Sequence, residues 1–384
     1  MSIFKYTKIK NLASNISFVY FCLGICPSLP VAYKYLGFVG LICYSILTYY
    51  ILLIFQRNYR FLFRNLRVIF SAFFSLSISL FLIVYPWANA RSSIGKGSDR
   101  DEALNIGVDR ILRGLYPYSH EDNTYFDNPV SPLPGNLILH IPAQLFLGNS
   151  LYTEPVFLVI AFLALGWISK KLALFTLVSC TISLEFWRDF LTGGDLASTT
   201  IFIFAMSLAF LKYCQQRNLK QMGVTGFILG LALSSRITNL VYLLAVFVCL
   251  KELKSFQRFL VTFYPLLIFT SVTIPFYLYK PEEFSPAVAL DKSAGLLGIF
   301  LVLLSIAVYF FLAGMNHSSM EEKWILFVKF LSPIGFFVAI IPTLILRDFS
   351  LLAYSYTTAS LGLIFMLVLK TDSLGEPKVH LIRY

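Results

Sequence analysis

Two short segments of the chain bring together acidic residues that can carry out chemistry. The first reads GSDRDE at 97–102, follows an apolar stretch and contains Asp101 and Glu102. The second reads EFWRDFLTGGD at 185–195 and lies between two further apolar stretches. Carboxylates in such positions can hold a divalent cation through oxygen ligands, or act as a general base towards a hydroxyl or phosphate acceptor.

Some of these acids also have a purely structural interpretation. Asp99, followed by Glu102 three residues later, forms the pattern of a capping box, and acids in a first helical turn favour the helix dipole. Asp195 can cap the helix that follows it in the same way. The capping box does not require Asp101, which is therefore the candidate general base. If the two segments lie on one side of a membrane their acids can converge, and Asp101 and Asp195 are then candidate ligands for a divalent cation such as Mg²⁺ or Mn²⁺.

Composition determines what kind of element positions these residues. Of 384 residues, 58% are hydrophobic and 13% charged, where a soluble domain has about a quarter charged. Mean hydropathy is +0.75, which excludes a disordered chain as well as an ordinary soluble one. We therefore predict one all-α polytopic membrane domain over 1–384, with about twelve transmembrane helices. The predicted spans are 13–31, 36–55, 68–87, 151–168, 172–187, 195–212, 222–235, 238–250, 257–278, 293–314, 324–345 and 349–370.

The charges predict how these spans are oriented. Short cytoplasmic loops collect Lys and Arg. This topology places 20 Lys and Arg with 5 Asp and Glu on the cytoplasmic side, and 11 with 15 on the other. Both termini are then cytoplasmic and the long loop 88–134 is extracytoplasmic. The formal charge of +11 is thus a topology signal that favours contact with membrane lipids, and we expect no nucleic-acid partner.

Two segments of this first outer region have the periodicity of short amphipathic helices, 101–114 and 135–148. The second, with Asn136, His140 and Gln144 as its polar stripe, is too short to span a membrane. We expect both helices to lie in the outer interface. His140 also suggests a membrane-bound acyltransferase, a class of enzyme that needs a histidine base within the membrane, but a lone histidine is more often structural.

Positive charges on the same outer side are candidates for binding an anion. Arg236 separates two apolar stretches of half length, 222–235 and 238–250, and an arginine there marks a site or snorkels to the interface. A single long helix over 222–250 is the alternative. Lys280 lies at the start of the outer loop 279–292 and is either a phosphate ligand or a solvated lysine.

The segment SDRDEALNIGVDRILRGLYPY at 98–118, followed by NPVSPLPG at 128–135, resembles the first outer loop of GT-C glycosyltransferases. The similarity is to the aminoarabinose transferase of lipid A and to protein O-mannosyltransferases, and it extends through 151–212. It implies a catalytic core at 68–250, preceded by an extra N-terminal helix pair at 1–67 and followed by C-terminal helices at 251–384. The oligosaccharyltransferase signature WWDYG is absent.

The resemblance implies transfer of a sugar from a polyprenyl-phosphate carrier to a lipid or glycan acceptor, on the extracytoplasmic face and with inversion. Asp101, at the position of the family's acidic pair and aided by Glu102, would deprotonate the acceptor. The absence of an N-x-S/T sequon in the outer loops favours a bacterial plasma membrane. A multi-pass transporter or lipid flippase is the alternative, for which ionisable residues at mid-membrane are typical. The expected substrate-binding residues are Arg100, Arg188, Asp189, Asp195, Arg236 and Lys280.

Overall fold

A computed structural model describes residues 17–92, 99–119, 124, 128–250, 252–287, 320–347, 349 and 361–372 of the chain. Within these ranges the regular structure is helical and no strand is present. The helices, in chain order, are α1 (17–25), α2 (Leu29–Arg64), α3 (Leu66–Ser92), α4 (Arg100–Leu112), α5 (Pro134–Leu147), α6 (Thr153–Ile168), α7 (Lys170–Ile182), α8 (Leu184–Leu191), α9 (Leu196–Gln216), α10 (Leu219–Leu233), α11 (Leu240–Cys249), α12 (Ser255–Tyr279), α13 (Met320–Leu346) and α14 (Leu361–Asp372).

The described helices are those of a membrane-embedded protein. Many of their apolar side chains are exposed, including Phe38 at 67% and Ile83 at 72%. In water such a surface would be unfavourable, whereas hydrocarbon solvates it. Five helical stretches among the described residues are long and apolar enough to cross a membrane: Ser17–Arg64, Leu66–Arg91, Ser150–Ile168, Leu196–Gln216 and Ser255–Tyr279.

The first of these stretches is folded back on itself at Gly37. This residue has φ 65° and ψ −163°, which is not helical and which a residue with a Cβ rarely adopts. Phe21 contacts Tyr49 with ring centroids 5.6 Å apart, so the two arms run side by side. The fold-back falls close to the gap between the predicted spans 13–31 and 36–55.

The predicted span 172–187 can be judged from the helix ends. The span 172–187 is wrong, because α7 ends at Ile182 and α8 is a separate helix. The 13 residues of α7 cover only about 20 Å at 1.5 Å per residue, which is less than the thickness of the hydrocarbon layer. The break is made by Ser183, whose extended backbone ends α7 and whose side chain accepts a hydrogen bond from Phe186 N in α8.

The two half-length helices around Arg236 are confirmed, and the single long helix is wrong. Helix α10 ends at Leu233, and Arg236 is extended, with φ −150° and ψ 141°. A short 3₁₀ turn, Ile237–Asn239, then leads into α11. The predicted span 293–314 and half of 349–370 lie outside the described residues, as does the start of 13–31.

Helices α4 and α5 form close to the predicted positions, but α5 is oriented differently from the expectation. Its polar residues Asn136 and His140 are fully buried in the protein, whereas Leu145 and Phe146 are exposed, the latter at 83%. The polar stripe of an amphipathic helix normally faces water. Here it faces a buried polar cluster, and the apolar end of the helix faces outward.

Candidate functional site

All five carboxylates that are buried in the described part of the chain lie close together, around the N-terminal end of α9. Their residues are between 0 and 3% exposed. Buried charges are costly unless they are paired, so the partner of each carboxylate indicates its role. These five residues, called the acidic cluster below, are Asp101, Glu154, Glu185, Asp189 and Asp195.

Asp101, in the first turn of α4, has only a neutral side-chain partner. The Tyr85 hydroxyl donates to its Oδ2 at 3.0 Å, and Asn149 Nδ2 donates to that hydroxyl at 2.8 Å. Its Oδ1 is buried and accepts no hydrogen bond from any described residue. Burial raises the pKa of Asp101 to about 6, although the Tyr85 hydroxyl acts in the opposite direction. A carboxylate with a free lone pair and a pKa near neutrality has the properties of a general base.

The loop before α9 is pressed against two of these acids. A Cβ on Gly193 would lie 3.0 Å from Asp101 Cγ, and Gly193 has φ +88°. A Cβ on Gly194 would lie 1.9 Å from Asp189 Oδ1. Only glycine permits this approach, so the Gly-Gly pair brings the second acidic segment onto the first.

Asp189 links the two segments and closes the start of α9. Its Oδ1 accepts from Arg100 Nη1 at 2.8 Å. Its Oδ2 accepts from the backbone N–H groups of Leu196 at 3.0 Å and Ala197 at 2.7 Å. Asp189 therefore satisfies two of the first N–H groups of the helix. The interpretation of Asp195 as the cap is wrong, since its side chain makes no capping hydrogen bond.

The Asp195 carboxylate instead forms an ion pair with Arg236. Arg236 Nη2 donates to both oxygens, at 3.2 and 3.0 Å, and Asn136 Nδ2 donates to Oδ2 at 2.9 Å. Burial raises the pKa of Asp195, but the charges of Arg236 and Arg100 outweigh it, so that the pKa lies below its usual value. Asp195 is thus a fixed negative charge that holds Arg236 in place.

Helix α5 is attached to the turn between α10 and α11, and this attachment sets the position of Asn136. The N–H groups of Leu133 and Asn136 donate to the carbonyls of Ser235 and Ser234, at 3.2 and 3.1 Å. A Cβ on Gly135 would lie 2.3 Å from a backbone oxygen of α10, so a larger residue would push the elements apart. Asn136 and Arg236 both donate to Asp195 Oδ2.

Sequence reasoning did not identify His140 and Glu154 as members of the site. His140 Nδ1 lies 2.8 Å from the Asn136 carbonyl, which can only accept, so we assign a proton to Nδ1. Its Nε2 lies 3.0 Å from Glu154 Oε1, and Thr199 Oγ1 donates to the same oxygen at 3.3 Å. His140 Nε2 and Glu154 Oε1 thus lie at hydrogen-bonding distance inside the protein. The four-residue spacing of Asn136 and His140 was a visible signal, whereas Glu154 resembles an ordinary acid in a first helical turn.

The fifth carboxylate, Glu185, is paired within its own helix. Arg188 donates to both of its oxygens, at 2.8 and 2.5 Å. Burial raises the pKa of Glu185 to about 7 and outweighs the opposing charge of Arg188. The pair lies beside the N-terminal helices, since Ser28 Oγ accepts from Glu185 N at 3.3 Å.

The remaining predicted residues lie at the edge of the cluster or apart from it. Asp99 does not cap α4 through its side chain. It holds the following loop, accepting from Thr124 Oγ1 at 2.7 Å and Asn128 Nδ2 at 2.8 Å, so the capping-box interpretation is wrong. Glu102 is half-buried in the first turn of α4. Lys280 forms an ion pair with Glu283 at 2.7 Å, and no described hydrogen bond or ion pair joins it to the acidic cluster.

Asp101 and Asp195 are the predicted ligands of a divalent cation, and they differ in how far their oxygens are already occupied. Both oxygens of Asp195 already accept from Arg236 or Asn136, whereas Asp101 offers one free oxygen. Mg²⁺ is usually held by one or two carboxylates together with water and substrate phosphates, so a cation that binds with the donor at Asp101 stays a prediction. Throughout the described ranges no group of three or more His, Cys, Asp or Glu side chains is arranged to hold a metal ion.

The charge pairing separates Asp101 from the other four acids. Glu185, Asp189 and Asp195 each contact an arginine, and Glu154 contacts His140. Within the described residues Asp101 has no cationic partner and receives its one side-chain hydrogen bond from neutral Tyr85. No protein-family model, curated protein or solved structure matches this chain.

Proposed function

We propose that the protein is a membrane glycosyltransferase that moves a sugar from a polyprenyl-phosphate carrier to an acceptor hydroxyl. The observation that carries this proposal is Asp101: a buried carboxylate without a cationic partner, with one free oxygen and a pKa of about 6. A structural ion pair needs none of these properties, whereas a general base benefits from all three. The similarity of 98–118 to the first outer loop of GT-C enzymes supports the same assignment.

In the proposed reaction the acceptor oxygen attacks the anomeric carbon of the sugar. The bond between that carbon and the carrier phosphate breaks, and the phosphate leaves with the electron pair. Asp101 Oδ1 takes the proton of the acceptor hydroxyl, while Tyr85 holds Oδ2 and so orients the carboxylate. Displacement in one step inverts the anomeric centre.

Positive charge near the leaving phosphate comes from arginines in this proposal. Arg100, Arg188 and Arg236 each contact a member of the acidic cluster and are 19, 29 and 23% exposed. A guanidinium already oriented by one carboxylate has further N–H groups to offer a phosphate oxygen. No step is assigned to a divalent cation, and transfer should persist in the presence of EDTA.

The proposal can be tested by a transfer assay in proteoliposomes. The donors would be polyprenyl phosphates carrying radiolabelled hexoses or aminopentoses, and the acceptor a bacterial membrane lipid extract. Asp101→Asn keeps the size of the side chain and removes its basicity, so transfer should fall by about 10²–10⁴-fold. The matched control is Asp109→Asn, on the same helix, where the acid is 42% exposed and pairs with Arg113. Full transfer by folded Asp101→Asn would refute the assignment.

One observation favours a transporter as the second candidate. Glu154, near the start of the membrane-length stretch Ser150–Ile168, forms a fully buried pair with His140 of α5, and such pairs occur in proton pathways. A transporter of this kind should acidify or alkalinise proteoliposomes when a substrate gradient is applied, and Glu154→Gln should abolish that signal. A glycosyltransferase should show label transfer without any proton flux.

A further inference from the structure

An apolar groove runs between α11 and α12. Its volume is about 260 Å³, and its walls include Leu240, Leu244, Phe247, Phe259, Phe263 and Leu266. Phe259 and Phe263 are 54 and 41% exposed, so the groove is open towards the outside of the described helices. An open apolar groove on a membrane protein is solvated by hydrocarbon chains.

An arginine with unused hydrogen-bonding capacity lies at one end of this groove. The Arg258 guanidinium carbon is 5.1 Å from the centroid of the Phe247 ring, which lines the groove. Its Nη2 makes one long hydrogen bond, 3.5 Å, to the Leu253 carbonyl, and its buried Nε has no partner. Among the described residues no carboxylate forms an ion pair with it, and the nearby Glu252 pairs with Lys323 at 2.7 Å instead.

The start of α12 lies at the same place and also lacks a negative charge. Lys254 is the N-cap residue and provides no side-chain cap, and the first turn contains no acid. Lys254 and Arg258 thus place two cations at the positive end of a helix, which is unfavourable unless an anion is bound there. The free N–H groups of a helix N-terminus bind phosphate well.

We propose that this groove binds an anionic phospholipid. The phosphate contacts Arg258 and the first N–H groups of α12, and one acyl chain lies between α11 and α12 along Phe247 and Leu244. A chain that moves from the bilayer into an apolar groove gains little, because both surroundings are apolar. Selectivity must therefore come from the headgroup, so the site should distinguish lipids by charge.

The test uses the full-length chain purified in mild detergent. Native mass spectrometry would follow binding of phosphatidylglycerol and of phosphatidylcholine with identical acyl chains. The unmodified protein should retain one phosphatidylglycerol more tightly than phosphatidylcholine. Arg258→Gln should weaken the phosphatidylglycerol complex about tenfold, the scale of one charge-assisted hydrogen bond. The matched control Arg64→Gln removes an exposed arginine at the end of α2 and should change binding less than twofold.

A second pair of variants tests the groove itself and keeps the proposal decidable if Arg258→Gln fails to fold. Leu244→Trp fills the groove and should weaken binding, whereas Leu260→Trp, at a 49% exposed position of α12, should not. Equal retention of both lipids, or equal loss in the Arg64 control, would overturn the proposal. So would tighter, Arg258-dependent binding of a polyprenyl phosphate, since the occupant would then be a carrier lipid. None of these readouts depends on glycosyl transfer.

Discussion

Replacing Gly193 by alanine should disturb the candidate site in two separable ways. The backbone of Gly193 has φ +88°, a region in which a residue with a Cβ is strained by about 1–2 kcal/mol. The new Cβ would also lie 3.0 Å from Asp101 Cγ and 3.1 Å from Oδ1. Because Asp101 is held on its other side by Tyr85, it cannot move away freely. Overpacking of this kind costs about 1–3 kcal/mol.

The chain offers a control that isolates the backbone strain. Gly148 has φ +71°, but a Cβ there would meet nothing within 4 Å. Gly148→Ala should therefore lose only the stability that the backbone strain costs. The free energy of unfolding of Gly193→Ala should be lower than that of Gly148→Ala by a further amount of about 1–3 kcal/mol. The free energies of unfolding would be measured by denaturant titration of the purified protein in detergent micelles. A double-mutant cycle with Asp101→Ala removes the atoms that the Cβ meets, so the extra cost should disappear.

Two outcomes would refute this reasoning. If Gly193→Ala were no less stable than Gly148→Ala, the loop would not be packed against Asp101. If the extra cost persisted in the Asp101→Ala background, the collision would be with another group. Under the proposed function Gly193→Ala should also slow transfer, because it displaces the general base by a few tenths of an ångström.

Two further predictions concern the charges of the site. The pKa of Asp101 is about 6, so the logarithm of the transfer rate should rise with slope one up to about pH 6 and then level off. The contribution of Asp101 to stability should fall as the pH rises from about 4 to 6, because the folded state holds the Asp101 proton to a higher pH than the unfolded state does. A flat pH–rate profile between about pH 5 and 7 would contradict the role of Asp101. Arg236→Gln should lower the free energy of unfolding by about 3 kcal/mol, since it leaves Asp195 buried without its cation, and adding Asp195→Asn should restore most of the loss. Arg113→Gln, in an exposed pair, should cost less than about 1 kcal/mol, and a similar loss in the two arginine variants would show that burial does not matter here.

The features predicted correctly from the sequence are those that local chemistry determines. Arg236 after two serines predicted a break between half-length helices, because an arginine inside hydrocarbon is costly. The periodicity of 101–114 and 135–148 predicted helices α4 and α5 to within a residue or two. The convergence of the two acidic segments was also expected, and the Arg100–Asp189 contact at 2.8 Å joins them.

The errors concern choices between partners, which depend on the tertiary structure. Asp189 and Asp195 both precede α9, and Asp195, the residue directly before the helix, was the candidate cap. The Gly-Gly turn brings Asp189 back to the start of α9, where it accepts from the backbone N–H of Ala197. Asp195 forms an ion pair with Arg236 instead. The polar stripe of α5 was expected to face water because its partners could not be identified from the neighbouring sequence either. Its buried partners, Asp195 and Glu154, lie 59 and 14 residues away from Asn136 and His140, where no local pattern reaches.

A carboxylate at a helix start is usually explained by the helix dipole, and each acid here fits that explanation when it is taken alone. Asp101, Glu154 and Glu185 lie in the first turns of α4, α6 and α8, and Asp195 is the N-cap residue of α9. The dipole effect amounts to about 1 kcal/mol or less and does not require burial, yet all four are at most 1% exposed. The distinguishing feature is therefore that several helix starts meet at one place. Their N–H groups and the three arginines create a positive potential that suits a phosphate, and the charges of Arg236 and Arg100 lower the pKa of Asp195. Asp101 is the one acid of the cluster without a cationic or histidine partner among the described residues, and that lack of pairing is what marks it as the candidate general base.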